Sequence, residues 1–291
     1  MNTDTQAPAA PEPMSARVTF AKHWPLYIYE GVLLGCFMIS ACGFTVLLEY
    51  PGAPGFAAIH STFIRRALIG VAMGATAVGL IYSPIGKKSG AHMNPAFTLS
   101  FLWLEKIAPW DAAFYIIGQF IGGTLGVVFS RLVFGPPIAA PQVRWIVTVP
   151  GPAGIGAAWL GEFIISAVLM GTVLLVNRSR NLGRFTGIFA GVLIFLFVTF
   201  EAPYSGFSMN PARTFASALP AGIWTQWWIY FTAPFIGMFS AIEFFALVGR
   251  ERDILCPRLN HSHHSNEILR CQCAAGVLRT ATKAAFMETS A

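Results

Sequence analysis

The sequence predicts an all-α membrane protein in which six transmembrane helices and two re-entrant half-helices form an inverted repeat. Three observations lead to this fold class. Of the 291 residues, 55% are apolar and 11% are charged, and the mean hydropathy is +0.60, which leaves too little polar surface for a soluble domain. Six apolar segments are each long enough to cross a bilayer. A short motif containing Gly and Pro interrupts the apolar sequence twice, once in each half.

The six spans are read from sequence windows of about 19 residues. They cover about 27–50, 65–82, 111–134, 157–177, 185–200 and 227–248. The first is too long for the apolar core of a signal peptide and contains Glu30, so we expect it to be retained. Residues 1–24 begin with a stretch rich in Pro, Ala and Thr and are predicted to be a disordered N-terminal segment.

The repeated motif reads Ser-Gly-Ala-His-Met-Asn-Pro-Ala-Phe-Thr at 89–98 and Ser-Gly-Phe-Ser-Met-Asn-Pro-Ala-Arg-Thr at 205–214. Lipid cannot satisfy free backbone N–H and C=O groups, so a break at membrane depth must line a cavity. Proline suits the first turn of a helix and the preceding Asn can cap it, which leaves the Asn amide to donate into the cavity. The residues predicted at the centre of the pore are Asn94, Pro95, Ala96, Asn210, Pro211 and Ala212.

Each half of the chain contains three spans and one half-helix, and because three is odd, the second half starts from the opposite side of the membrane. The halves are predicted at about 25–134 and 157–249, within one channel domain over 25–249. The linker at 135–156 contains five Pro residues and is expected to cross the outer face in an extended form. The two half-helices then meet head to head, with two positive helix ends and two amide donors at one point. Passing water cannot relay a proton there, and cations are repelled.

The distribution of positive charge predicts the orientation. Fourteen of the 19 Lys and Arg residues lie on one side if the N-terminus is cytoplasmic. The positive-inside rule therefore predicts a multi-pass protein of the inner or plasma membrane with both termini in the cytoplasm.

Residues 250–291 are predicted to be a basic cytoplasmic tail. It contains the zinc or copper(I) ligand types Cys256, His261, His263, His264, Cys271 and Cys273. Their spacing fits no standard zinc module, so we expect a disordered tail near anionic lipid and no metal. The alternative is a metal site that braces or blocks the cytoplasmic mouth of the pore near Lys87 and Lys88.

From about Tyr27 to Val248 the chain resembles the aquaporin and glycerol-facilitator family. The resemblance rests on the two Asn-Pro-Ala boxes and on Gly90-Ala91-His92, Arg213, Gln119, Gly122-Gly123, Trp228, Pro234 and Gly237. It implies an aquaporin-like fold, a homotetramer with one pore per protomer, and transport without enzymatic chemistry or a cofactor. It also implies that Arg213 stands at the constriction, where it excludes cations and donates hydrogen bonds to solute oxygens.

The remaining filter residues are also implied by the resemblance. Counting from Asn210 gives Val198 and Phe207, whereas the local pattern in span two gives Met73 and strict spacing from Asn94 gives Gly74. Water-selective members usually have a His where Val198 stands. The expected filter of Met73, Val198, Phe207 and Arg213 is therefore more apolar and wider, which suits a small polyol or amide as well as water.

Three further polar residues are expected to support the pore. Glu30 and Glu162 occupy matching places in the halves and resemble family carboxylates that accept hydrogen bonds from the re-entrant loops. The alternative is a proton relay, but these spans hold too few titratable partners for one. His92 is expected to be a buried hydrogen-bonding residue beneath the pore mouth, and a pH sensor is the alternative.

These observations predict a passive channel for water or small uncharged, glycerol-like solutes that excludes ions and protons, with membrane lipid as its surroundings and no nucleic-acid partner. Two other classes remain open. A secondary active transporter could use the same inverted repeat, but it needs ion-coupling carboxylates that face the lumen. A non-conducting membrane scaffold is disfavoured by the two intact boxes and by Arg213.

Overall fold

The computed structural model describes residues 14–179, 181–248, 257–260 and 268–269. Within these residues, six helices are long and apolar enough to span a membrane. They are α1 (Ala16–Glu49), α3 (Thr62–Tyr82), α6 (Pro109–Phe134), α7 (Ile155–Asn177), α8 (Thr186–Phe200) and α11 (Trp228–Leu247). A 3-10 turn at Gly183–Phe185 precedes α8 and lengthens that span to Gly183–Phe200. The predicted six-span helical fold is therefore confirmed, and most predicted boundaries lie within three residues of those observed.

The remaining helices are short. The two half-helices are α5 (Pro95–Trp103) and α10 (Pro211–Ala221), and each starts at the Pro of an Asn-Pro-Ala box. Single-turn helices precede or join these elements: α2 (Pro54–Ala58), α4 (Pro84–Ser89) and α9 (Ala202–Ser205). Helix α1 begins and α11 ends on the side that the Lys and Arg counts predict to be cytoplasmic, which we call the inner side; the opposite side is the outer side.

The long helices pack in the pattern of an inverted repeat. In the first half α1 packs against α6, and in the second half the equivalent helices α7 and α11 pack against each other. Helices α3 and α8 meet across the two halves. The half-helix α10 packs against α6 of the other half, and α5 contacts both α6 and α11. Both half-helices thus pack against long helices of both halves.

Glycines allow the long helices to cross closely. A Cβ atom on Gly74 would lie 2.5 Å from the carbonyl oxygen of Gly191, and one on Gly122 would lie closer still to the carbonyl of Gly31. Such small residues are what membrane helix interfaces require, because the backbones themselves make contact. Gly79 lies in the same helix, but a Cβ atom on it would meet no atom within 4 Å, so it is not part of a crossing.

Two expectations about segments outside the spans are wrong. Helix α1 already begins at Ala16, so 16–24 is helical rather than disordered. The reason is burial against α6: Nδ1 of His23 lies 2.9 Å from Oδ1 of Asp111, and the Tyr27 hydroxyl donates to the same oxygen at 2.6 Å. The linker is not simply extended, because it forms 3-10 turns at Pro136–Ala139 and Arg144–Ile146 and buries apolar side chains against the outer side of the bundle.

Candidate functional site

The two Asn-Pro-Ala boxes meet at the centre of the molecule. Asn94 caps α5 by accepting from the N–H of Ala96 at 2.9 Å, and Asn210 caps α10 by accepting from the N–H of Ala212 at 3.0 Å. Both Asn residues line a cavity that passes this meeting point and extends to the inner side, where Leu259 also lines it. The structure therefore brings together the N-terminal ends of two half-helices, which carry partial positive charge.

Each Asn side chain also donates a hydrogen bond to the re-entrant loop of the other half. Nδ2 of Asn94 donates to the carbonyl oxygen of Met209 at 2.7 Å, and Nδ2 of Asn210 donates to that of Met93 at 2.7 Å. The sequence expectation that the amides are free to donate into the cavity is thus only half correct. Each NH2 has two donors, and one of them joins the two loops.

The two buried carboxylates hold the re-entrant loops in matching ways. Glu30 accepts from the backbone N–H groups of His92 and Met93 at 3.0 and 2.6 Å. Glu162 accepts from those of Ser208 and Met209, each at 2.7 Å. Both carboxylates are 0% exposed. Further side-chain donors reach them, Gln119 at Glu30 and Ser205 at Glu162.

These hydrogen bonds support an unusual backbone. Both loops pass through the left-handed region at three equivalent positions, with φ of 95°, 57° and 49° at Gly90, Ala91 and Met93 and of 83°, 56° and 53° at Gly206, Phe207 and Met209. Non-glycine residues in this region cost about 1–3 kcal/mol each and persist only where the surroundings hold them. The carboxylates of Glu30 and Glu162 supply that support, since each binds two consecutive N–H groups of its loop.

His92 and Ser208 occupy equivalent loop positions but have different partners. His92 is buried and lies 3.2 Å from the hydroxyl of Thr98 through Nδ1. Ser208 lies 2.7 Å from the hydroxyl of Thr214. Thr148 of the linker also reaches Thr214, at 2.9 Å. Three hydroxyl groups thus brace α10 without a charge.

Two cavities follow one another along the bundle. The inner cavity, of about 80 Å³, is lined mainly by apolar side chains together with Asn94 and Asn210. The outer cavity, of about 240 Å³, includes the polar side chains of Glu49, Thr62 and Arg66. Three residues line both cavities, Phe37, Phe207 and Arg213. They therefore mark the junction between the two.

The guanidinium of Arg213 is positioned by the linker. Its Nη1 donates to the carbonyl oxygen of Ile146 at 2.8 Å. Ile146 belongs to a run of three linker residues with φ near 50° that turns this carbonyl toward α10. One hydrogen bond thus fixes the arginine, and its other N–H groups are available to the cavities that it lines.

The other predicted filter residues lie around the outer cavity. Met73, Val198 and Phe207 line it together with Arg213. Gly74 faces α8, as its close approach to Gly191 shows, so of the two candidates in α3 it is Met73 that lines the cavity.

Sequence reasoning missed several lining residues. Phe37 of α1 lies at the junction, and Ile146 and Val147 of the linker line the outer cavity. The linker residues carry no periodic pattern that points to the pore. An apolar run between prolines was their only signal.

The prediction of a disordered tail is wrong for Pro257–Asn260, which is buried against the inner end of the bundle; Leu259 lines the inner cavity. The candidate metal ligands Cys256, His261, His263, His264, Cys271 and Cys273 lie outside the described residues. Within the part of the chain that the structure describes, no group of three His, Cys, Asp or Glu side chains is placed to hold a metal ion.

Comparison with known proteins agrees with this geometry. Residues 23–244 match the family described as Major intrinsic protein. The chain is 34% identical over 240 residues to Aquaporin NIP3-1 of Arabidopsis thaliana, covering 79% of this chain and 71% of that protein. It is 35% identical over 185 residues to Aquaporin NIP1-4 of Oryza sativa subsp. japonica, covering 62% of this chain and 64% of that protein.

A solved structure shares the fold. The aquaglyceroporin of Plasmodium falciparum superposes with a TM-score of 0.66 at 20% sequence identity, over 79% of this chain and 98% of that one.

Proposed function

The chain belongs to the major intrinsic protein family of water and small-solute channels, and on that premise we propose that its pore conducts small uncharged solutes of glycerol size as well as water. The observation that carries the proposal is the junction between the two cavities. Its surroundings are apolar at Phe37, Phe207, Met73 and Val198. Arg213 is the charged donor among them.

These five residues form a ring around the junction, and such a ring suits an amphipathic solute. A polyol or amide presents carbon atoms to the apolar side chains and oxygen atoms to the guanidinium N–H groups of Arg213. Val198 is small and offers no hydrogen bond where a His would narrow the passage. The ring then selects by size and by the ability to accept hydrogen bonds from one side.

Ions and protons are excluded by two successive positive fields. Arg213 places a full charge at the junction, and the ends of α5 and α10 place partial charges farther in. The remaining N–H groups of Asn94 and Asn210 turn each passing water oxygen toward them, which interrupts a proton relay.

The buried carboxylates favour passive over coupled transport. Glu30 and Glu162 are 0% exposed and accept hydrogen bonds from the loops. Neither is among the residues that line the cavities. Glu49 does line the outer cavity, but it is paired with Arg65 at 3.1 Å. An ion-coupled transporter would need a carboxylate that its coupling ion can reach.

Stopped-flow light scattering on proteoliposomes tests the proposal. We expect both water and glycerol to equilibrate faster than in protein-free liposomes, at rates that do not change when a proton or sodium gradient is imposed. Rejection of glycerol would contradict the wide-pore part of the proposal. Gradient-dependent flux would favour a coupled transporter, and the absence of flux for every solute would favour a scaffold.

We further propose a homotetramer with both termini in the cytoplasm. Each pore is complete within one chain, because the described residues supply both Asn caps and the whole junction, so association adds stability in the membrane rather than a binding site. Native mass spectrometry in detergent measures the number of subunits. Protease cleavage of the tail in sealed vesicles of known orientation measures the side on which it lies.

A further inference from the structure

A short part of the C-terminal region lies at the inner mouth of the pore. We call Pro257–Asn260 the mouth segment; all four residues are buried. Arg258 is 0% exposed, and Leu259 and Asn260 are each 6% exposed. Leu259 lines the inner cavity beside His92. An apolar side chain from the tail therefore stands at the inner end of the conduction path.

The mouth segment is anchored to the backbone of the mouth itself. The N–H of Leu259 donates to the carbonyl of Gly90 in the first re-entrant loop at 3.3 Å. Nδ2 of Asn260 donates to the carbonyls of Ile81 and Gly86, at 3.1 and 2.9 Å. Ile81 lies in the last turn of α3 and Gly86 in the last turn of the short helix α4, so Asn260 binds carbonyls at two helix ends that face the mouth.

Two further contacts fix the orientation of the segment. Nε2 of His92 donates to the carbonyl of Pro257 at 3.1 Å, and Nη1 of Arg258 donates to the carbonyl of Lys87 at 3.3 Å. The equivalent residue in the other loop, Ser208, has a hydroxyl too short to reach a segment in this way. The first loop alone therefore provides a ring nitrogen that binds the tail.

The tail makes a second contact next to the first. Leu269 pairs with Ile107 through an isolated backbone bridge and is 4% exposed. Its side chain also lies close to Gly90, because a Cβ atom on Gly90 would be 2.5 Å from Cδ1 of Leu269. Leu259 and Leu269 of the tail thus both contact the loop residue Gly90.

We propose that the mouth segment is a plug that closes the inner end of the pore and must leave before solute can pass. The proposal rests on the channel function proposed above. Water and polyols cross a narrow pore only while they keep exchanging hydrogen bonds, and Leu259 offers none at the point where it stands. An apolar side chain at a constriction gates by excluding water.

The anchors allow the plug to be released. Each protein acceptor in the mouth is a backbone carbonyl at a helix end or loop, and such groups can bind water instead when the segment leaves. Docking also removes the charged guanidinium of Arg258 from water. The loss of hydration costs free energy, which opposes docking even though a hydrogen bond to Lys87 offsets part of it. If the plug is docked in about nine channels of ten, release raises permeability about tenfold.

Permeability of the full-length protein and its point variants tests the plug. Leu259→Ala removes the apolar block, and Asn260→Ala removes an anchor while leaving Leu259 in place. We expect both to raise water and glycerol permeability per channel several-fold. Leu259→Met keeps an apolar side chain of similar volume and should stay as slow as the unmodified protein.

The matched control is Leu132→Ala, because Leu132 is 78% exposed on the lipid side of α6 and touches neither cavity. It should leave permeability unchanged. If folded Leu259→Ala and Asn260→Ala channels, with the melting temperature of the control, conduct no faster than the unmodified protein, the plug is refuted while the channel function stands. If no variant conducts at all, the channel function itself fails and the plug with it.

Discussion

Asn94 and Asn210 each bind the loop of the other: the amide of Asn94 donates to the carbonyl of Met209, and the amide of Asn210 donates to the carbonyl of Met93, both at 2.7 Å. The same two side chains cap the half-helices. The oxygen of each amide therefore secures its own helix and the nitrogen secures the opposite loop. This double use fixes the distance between the two positive helix ends on which ion exclusion depends.

Replacing Arg213 with Ala is expected to admit protons or small cations. The change removes the fixed positive charge from the junction, where the solute has lost most of its water. A pH-jump assay in liposomes measures the proton leak.

The matched control for Arg213 is Arg66→Ala. Arg66 lines the wider outer cavity and donates to the carbonyl of Thr199, so it carries the same charge away from the junction. Equal, unchanged leaks in both variants would show that Arg213 does not control ion exclusion.

Replacing Val198 with His should reduce glycerol flux much more than water flux. The imidazole of His is larger than the Val side chain, so it narrows the outer side of the junction. It also adds an N–H donor, which water can satisfy better than a carbon chain can. Val198→Ala is the opposite change and should leave glycerol flux equal or higher. Parallel losses of water and glycerol flux in Val198→His would contradict this account of selectivity.

Replacing Glu162 with Gln should destabilise the protein by about 1–3 kcal/mol, because one carboxylate oxygen that accepts a backbone N–H becomes an NH2 that cannot. Glu30→Gln should behave similarly, since the two sites are equivalent. Thermal unfolding in detergent measures both.

Glu243→Gln is the control for lost charge. Its carboxylate accepts from the indole of Trp103 at 3.1 Å in an exposed position, and the amide oxygen of Gln can still accept there. A melting temperature lowered as much by this change as by Glu162→Gln would contradict a specific role for the loop-binding carboxylates.

Replacing Gly74 with Ala should destabilise the crossing of α3 and α8 by about 1–3 kcal/mol, since the added Cβ would meet the Gly191 carbonyl at 2.5 Å. Gly79→Ala lies one to two turns farther along the same helix in open space and should have no such effect. The melting temperatures of the two variants in the same detergent decide the matter. Equal values would mean that the helices can move apart freely.

Elements with a local signal could be predicted from the sequence. The spans follow from apolar length, and the half-helix starts follow from Asn-Pro within apolar sequence. The choice between Met73 and Gly74 could not be made, because it depends on the rotation of α3 about its axis. That rotation is set by the contact of Gly74 with Gly191 in α8, which lies far away in the sequence.

Other parts of the site depend on contacts without a pattern. The hydrogen bond from Arg213 to Ile146 needs a carbonyl, which every residue has, so no residue type marks the acceptor. The mouth segment is similar: Asn260 and Arg258 are common in polar tails, and only the shape of the inner mouth makes them partners of helix ends. Composition therefore predicted disorder where the structure shows burial.

The crossed bonds between the loops also set the order of biogenesis. The acceptor of Asn94, the carbonyl of Met209, is synthesised 115 residues later. At ordinary translation rates this interval is on the order of ten seconds. During that time the first loop already sits at membrane depth with backbone groups that lipid cannot satisfy. The first loop of the nascent chain therefore needs a polar environment within the insertion machinery until the second half is synthesised. Two halves produced as separate polypeptides must associate before either can complete its folding.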